Sequence, residues 1–230
     1  MPTRRPDANL GFTLAALATA IGAIALPFRI AAAPIEPVMG PIQKIFYFHV
    51  PSCWMLLLST LVAGVASLWV LFKNSDRADR VALASGEIGV LFGTCGLVTG
   101  PLWGKVAWGK YWTWDARQTS TLLLFLILLA YLIARTYGGP GAKKLAAALA
   151  LFAAANVPLV YLSPALWRTL HPDARVVPTL APALRPALYL SALFFLWIWA
   201  ILLTLRLRLQ SLRAAIEDLQ RAVDDADDSD

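Results

Sequence analysis

The chain has 230 residues, of which 59% are apolar and only 15% charged, against about 25% charge in a typical soluble domain. Its net charge is +6, carried on too little polar surface to cover a water-soluble fold. These values argue against a soluble enzyme or a nucleic-acid-binding module and point to lipid; the bilayer is an expected partner and nucleic acid is not.

Crossing a hydrocarbon core about 30 Å thick takes about 20 mostly apolar residues in a helix. Stretches 10–26, 46–72, 81–102, 119–134, 145–162 and 183–205 meet that test. They predict an all-α integral membrane protein, a bundle of six transmembrane helices with short interfacial helices in the outer loops. The first stretch, with its basic start and Ala31-x-Ala33, has features of a signal peptide. Arg29 and Pro34 are poorly placed for cleavage, so the span is expected to be retained.

At the outer end of the second span stands His49, in Phe46-Tyr47-Phe48-His49-Val50-Pro51, with Lys44 shortly before it. Cys53 follows in the same span and Cys95 lies in the third. They form no CxxC pair, and no CxxCH occurs to attach haem covalently, so both read as packing residues. The third span carries Gly86, Gly89, Gly93, Gly96 and Gly100 at spacings of 3, 4, 3 and 4. That places all five on one face, where another helix can approach closely. Gly100-Pro101 is expected to end the span. Glu87, toward its inner end, is expected to pair with Arg80 or Lys144, or to mark a functional site.

Between the third and fourth spans, four of the nine tryptophans fall between residues 103 and 114: Trp103, Trp108, Trp112 and Trp114. An interfacial aromatic belt scatters tryptophans over several span ends, whereas this cluster suggests a shaped platform for a flat apolar ligand. Asp115, with Gln118 three residues on, has the form of a capping box for the fourth span. In the fifth span Pro158 frees a carbonyl, and the Asn156 amide is expected to satisfy it or to bond a neighbouring helix. Ser163-Pro164 predicts a short interfacial helix over 164–171, with Trp167 and His171 on one face. His171 and His49 are the only histidines, and both fall on the same predicted side. A lone interfacial histidine is an ordinary polar residue; two on one side leave a ligand pair open as a reading.

Beyond the sixth span, Leu205, Leu209, Leu212, Ile216, Leu219 and Val223 follow the spacing of a coiled-coil seam, and an acidic run starts at Asp224. The expected organisation is a six-span domain over 1–206, then a cytoplasmic amphipathic helix and acidic tail over 207–230. That helix would either dock a partner or lie on the inner leaflet. Twelve of the twenty Lys and Arg residues fall on the side of the N-terminus, which by the positive-inside rule predicts both termini in the cytoplasm. The other face is also basic, which suits an anionic ligand.

Haem unites these features. It is a flat apolar disc with two carboxylates, so it calls for aromatic walls, basic partners and axial ligands. The segment from Trp108 to Ser120 resembles the tryptophan-rich WWD signature of haem-handling membrane proteins, and within that group the chain is most similar to the cytochrome c maturation protein C (CcmC) family. The resemblance runs from about residue 41 to 205. It includes Lys44-Ile-Phe-Tyr-Phe-His-Val-Pro51, Gly86-Glu-Ile-Gly89, Thr99-Gly100 with Trp103-Gly104, Asn156-Val-Pro-Leu-Val-Tyr-Leu-Ser163 and Thr169-Leu-His171. Tyr111 and Gln118 depart from its pattern, where tryptophan and leucine are expected.

The resemblance implies that His49 and His171 are axial ligands of haem b iron. It also implies that Trp108, Trp112, Trp114, Asp115 and Arg117 form the WWD surface, and that Lys44 is a nearby basic position. It further implies delivery of haem, at the extracytoplasmic face of the inner membrane, to the haem chaperone CcmE. There the haem becomes attached to a chaperone histidine for later transfer to apocytochrome c. The implied companions are the ABC-type transporter subunits CcmA and CcmB and the small membrane protein CcmD. No Gly-x-x-x-x-Gly-Lys loop occurs here, so ATP hydrolysis would belong to a partner. Two alternatives stand beside this reading. One is a final haem lyase of the same group, whose members are longer and richer in histidine. The other is a solute permease, which should carry more polar groups at mid-membrane depth.

Overall fold

The computed structural model describes residues 6–172 and 176–227. Arg4, Arg5, Asp173, Arg175, Asp228 and Asp230, which entered the charge reading, lie outside the described residues. Six helices are long and apolar enough to cross a membrane. They are α1 (Pro6–Ala32), α2 (Phe46–Lys73), α3 (Asp76–Trp108), α4 (Ala116–Tyr137), α5 (Ala142–Leu166) and α7 (Arg185–Asp227), with the single-turn α6 (Val176–Thr179) before the last. Short 3-10 helices at Pro41–Ile45 and Pro182–Leu184 occupy the α1–α2 and α5–α7 connections, and no strand occurs among the described residues. The all-helical, six-span architecture expected from hydropathy is therefore present.

Helix α2 is central, packed against α3, α5 and α7. Its Met55 and Leu56 join Ile88 and Phe92 of α3, Leu124 and Leu128 of α4, Val157 and Val160 of α5 and Phe195 of α7 in one apolar core. The glycine face of α3 does what its spacing implies. A Cβ on Gly86 would stand 2.5 Å from the Tyr131 ring, and one on Gly93 2.8 Å from Phe125, both on α4. Toward the C-terminal end of α3 the same face meets α2, where a Cβ on Gly100 would stand 3.2 Å from the His49 ring. The peripheral α1 is held to α7 by contacts such as the hydrogen bond from Trp197 Nε1 to Thr19 Oγ1, 2.9 Å.

Three expectations are corrected. Gly100-Pro101 does not stop α3, which continues to Trp108. The stop is Gly109, in the left-handed region at φ 76°, whose N–H donates to the Lys105 carbonyl. Residues 164–171 do not form a separate helix: Ser163 and Pro164 sit inside the last turns of α5, and Trp167 caps that helix in extended backbone. Pro164 has no N–H for the Val160 carbonyl, but Ser163 Oγ (2.9 Å) and Arg117 Nη1 (2.9 Å) donate to it instead, so the helix persists past the proline. Glu87 pairs with neither Arg80 nor Lys144 but with Arg206 of α7. The guanidinium donates from both Nε and Nη2 to the two carboxylate oxygens. Asn156 takes the second of its two expected roles, donating to the Ser120 carbonyl of α4 at 3.0 Å.

Helix α7 runs unbroken for 43 residues, roughly 64 Å, about twice the thickness of a hydrocarbon core. Its second half exposes the seam from Leu205 to Val223.

Another close helix contact lies elsewhere in the bundle, where a Cβ on Gly64 of α2 would stand 2.4 Å from Ala154 Cβ of α5. Gly64→Val must part those helices, an overpacking cost of about 1–3 kcal/mol, and should lower the melting temperature of the detergent-solubilised protein by roughly 2–12 °C. Gly11→Val, at a position with nothing within 4 Å of the added Cβ, is the control and should melt like the parent.

Candidate functional site

At the bundle end holding the α1–α2, α3–α4 and α5–α7 connections, a cavity of about 490 Å³ opens. Binding clefts for small molecules and cofactors span about 300–1,000 Å³. His49 and His171, 122 positions apart in the chain, both line it. Trp103, Trp108 and Trp112 wall it, and Arg117 is its cation.

His49 enters from the first turn of α2, buried against the α3 glycine face. Its ring makes an edge contact with Trp103 at 5.9 Å between centroids. Nδ1 lies 2.9 Å from Thr99 Oγ1, and Nε2 lies 3.6 Å from Cys53 Sγ.

His171 enters from the loop after α5. A local turn presents it, its N–H donating to Thr169 Oγ1 at 3.0 Å. Nδ1 is 2.9 Å from the Pro172 carbonyl, which can only accept, so Nδ1 carries the proton and Nε2 holds the free lone pair. Burial first, and the nearby Arg117 charge second, lower the His171 pKa from 6.5 to about 4. The imidazole is therefore neutral at physiological pH, the form a metal ligand requires. Its aromatic neighbour is Trp108, at 6.4 Å between centroids, rather than Trp167.

The tryptophan-rich connection is folded by its own polar groups. Asp115 caps α4 by accepting from the Gln118 N–H at 2.9 Å, as the sequence predicts. The Gln118 side chain reaches past the cap to accept from the Thr113 N–H at 2.8 Å, so the box is offset by two residues. Trp114 adopts φ 56°, a left-handed conformation rare for a large side chain. It makes an edge contact with Trp112 at 5.6 Å, yet is itself 71% exposed. Trp112 thus lines the cavity while Trp114 faces outward.

Arg117 donates to the Val160 carbonyl at 2.9 Å and the Tyr161 carbonyl at 3.1 Å, tying the start of α4 to the end of α5. Lys44 is engaged elsewhere: its ammonium donates to the Ala31 carbonyl at the end of α1, and it does not line the cavity. Trp103, Cys53, Gln43 and Thr99 complete the surroundings of the two histidines; the sequence assigned none of them a role toward the histidines, and Gln43 was not singled out at all. Cys53 is one helical turn past His49, a spacing that makes it a neighbour, so its reading as packing alone is incomplete.

A family model described as CcmC, heme exporter protein C, matches residues 6–226. The chain belongs to the heme exporter protein C family. The match reaches beyond the stretch 41–205 and takes in both α1 and the extension of α7. The chain is 36% identical over 213 residues to heme exporter protein C of Bradyrhizobium diazoefficiens, covering 90% of this chain and 81% of that one. It is 34% identical over 181 residues to the Escherichia coli K12 protein of the same name, covering 76% and 73%. The Haemophilus influenzae protein of that name is 31% identical over 206 residues, covering 86% and 82%. Membership makes this chain a multi-pass membrane protein of haem handling in cytochrome c maturation.

The start of α4, where the tryptophan-rich connection ends, is capped by Asp115. Asp115→Ala removes an acceptor worth about 1 kcal/mol and should lower the melting temperature by roughly 2–4 °C, whereas Asp115→Asn keeps the cap and most of the stability.

Proposed function

We propose that this chain holds haem between His49 and His171 at the extracytoplasmic face of the inner membrane and presents it to the haem chaperone CcmE. The observation that carries the reading is the meeting of the chain's only two histidines in one aromatic-walled cavity. Several features fit haem as cargo. The four cavity tryptophans, Trp54 with Trp103, Trp108 and Trp112, offer flat apolar surface. Trp103 and Trp112 each bury an indole N–H that has no partner among the described residues, and propionate oxygens are acceptors of the kind such donors take. Arg117 sets a positive charge beside the site, which favours an anionic cargo and adds to burial, the larger cause, in keeping His171 unprotonated. Haem b, the non-covalent form, suits a site that must release what it holds.

The outward-facing Trp114 beside the cavity-lining Trp112 gives the chaperone an aromatic surface to dock against, contiguous with the cargo. In this arrangement both termini are cytoplasmic and α7 continues without a break beyond Arg206 into the cytoplasm. CcmA, CcmB and CcmD are the proposed companions, the ATPase supplying the energy that no motif here provides. The polar groups that a permease would use at mid-depth act here as helix ties, Glu87 to Arg206 and Asn156 to Ser120.

The visible spectrum of the purified protein from haem-replete cells tests the ligand pair. The parent should show six-coordinate, low-spin haem. His49→Ala and His171→Ala should each shift that spectrum and weaken haem retention by at least about tenfold, since even outer partners of a ligand are worth about 10–100-fold. Added imidazole should restore part of the low-spin form. An unchanged spectrum in both variants would falsify the assignment. A companion pair separates cavity from docking surface: Trp112→Ala should lower haem content and Trp112→Phe much less so. Trp114→Ala should keep haem content but slow transfer to the chaperone.

A further inference from the structure

One side chain beside the site has its hydrogen bonds fixed by simple inventory. Thr99, half-buried near the outer end of α3, places Oγ1 2.6 Å from the Cys95 carbonyl and 2.9 Å from His49 Nδ1. The Gly96 carbonyl lies further off, at 3.5 Å. A hydroxyl has one proton and two lone pairs, and a carbonyl only accepts. The proton therefore goes to Cys95 by the short bond one turn back along the helix, and toward His49 the hydroxyl is left to accept. His49 Nδ1 must then be the donor, which leaves the in-plane lone pair on Nε2.

Two glycines let this bond form. A Cβ on Gly100 would stand 3.2 Å from His49 Cε1, and one on Gly96 would stand 3.0 Å from Cys53 Sγ. The backbone of α3 thus comes close enough for Thr99 to reach the ring from one side. His49 and His171 end in the same state by different means, one through a threonine hydroxyl and the other through a backbone carbonyl.

We propose that Thr99 is a positioning residue: by accepting from Nδ1–H it fixes the tautomer and ring plane of His49 so that Nε2 is the atom offered to iron. The part concerning iron rests on the reading of His49 as a ligand; the part concerning the tautomer does not. A hydrogen bond to the far nitrogen also raises the basicity of the ligating one, and its loss typically costs about 10–100-fold in metal affinity.

The test has two arms on the full-length protein in detergent. In the haem-free protein labelled with 15N-histidine, the two imidazoles are told apart with His171→Gln, and nitrogen shifts report the tautomer of His49 directly. The parent and Thr99→Ser should be Nδ1–H, while Thr99→Val and Thr99→Ala should lose that preference. In the haem-loaded protein, Thr99→Val should release haem about 10–100-fold faster with a mixed-spin spectrum, and Thr99→Ser should behave as the parent. A Thr99→Val protein with unchanged tautomer, spectrum and release rate, while His49→Ala loses low-spin haem, overturns the role of Thr99 and leaves the ligand pair standing. The expected tautomer change together with an unaltered spectrum in His49→Ala overturns the ligand reading instead. A role for Thr99 in packing alone would lower the melting temperature without moving the tautomer.

Discussion

Much of the arrangement depends on the absence of Cβ atoms along one face of α3. A helix with ordinary side chains there would stand further from its neighbours, and in a membrane no hydrophobic effect would draw it closer. Gly86 and Gly93 admit rings from α4, while Gly96 and Gly100 admit Cys53 and His49 from α2. The N-terminal half of that face is packing in the ordinary sense. The C-terminal half is what brings a hydroxyl and an imidazole on different helices to 2.9 Å. Packing and site are two ends of the same stripe.

A second constraint is the accounting of backbone carbonyls that lipid cannot solvate. Pro164 withholds one N–H, and the Val160 carbonyl that loses it takes donors from Ser163 and Arg117. Asn156 answers a neighbouring helix by donating to the Ser120 carbonyl. Both ties join α4 to α5, and one of them holds a guanidinium beside both histidines. The local irregularities of α5 and the charge of the cavity therefore have a common origin.

The spans were legible because the bilayer demands a length of apolar chain that little else does. The common side of His49, His171 and the tryptophan cluster followed from counting spans. What the sequence hid was where helices end. Gly100-Pro101 and Ser163-Pro164 carry strong local stop and start signals, yet α3 and α5 run through both, since other donors or close packing meet the cost that a proline imposes in water. The partner of Glu87 was hidden for a different reason: Arg206 lies 119 positions away, and only the packing of α7 against α3 joins them. Trp103 and Cys53 had a readable signal in their helical spacing from Gly100 and His49. Thr99 stood out only as part of the Thr99-Gly100 motif, and no motif or spacing shows which atom gives the proton.

The length of α7 has a mechanical meaning. A helix without a break has no joint, so residues 207–223 and the membrane-buried part are one rod, clamped at Arg206 to Glu87. Leu188, eighteen positions from that clamp, is fully buried among Phe46, Tyr47 and Trp103, the aromatic group that adjoins His49. At about 1.5 Å per residue the arm from fulcrum to Leu188 is roughly 27 Å, so a tilt of about 5° carries Leu188 through roughly 2 Å. Whatever grips the exposed end of this lever holds a handle on the wall behind the histidine.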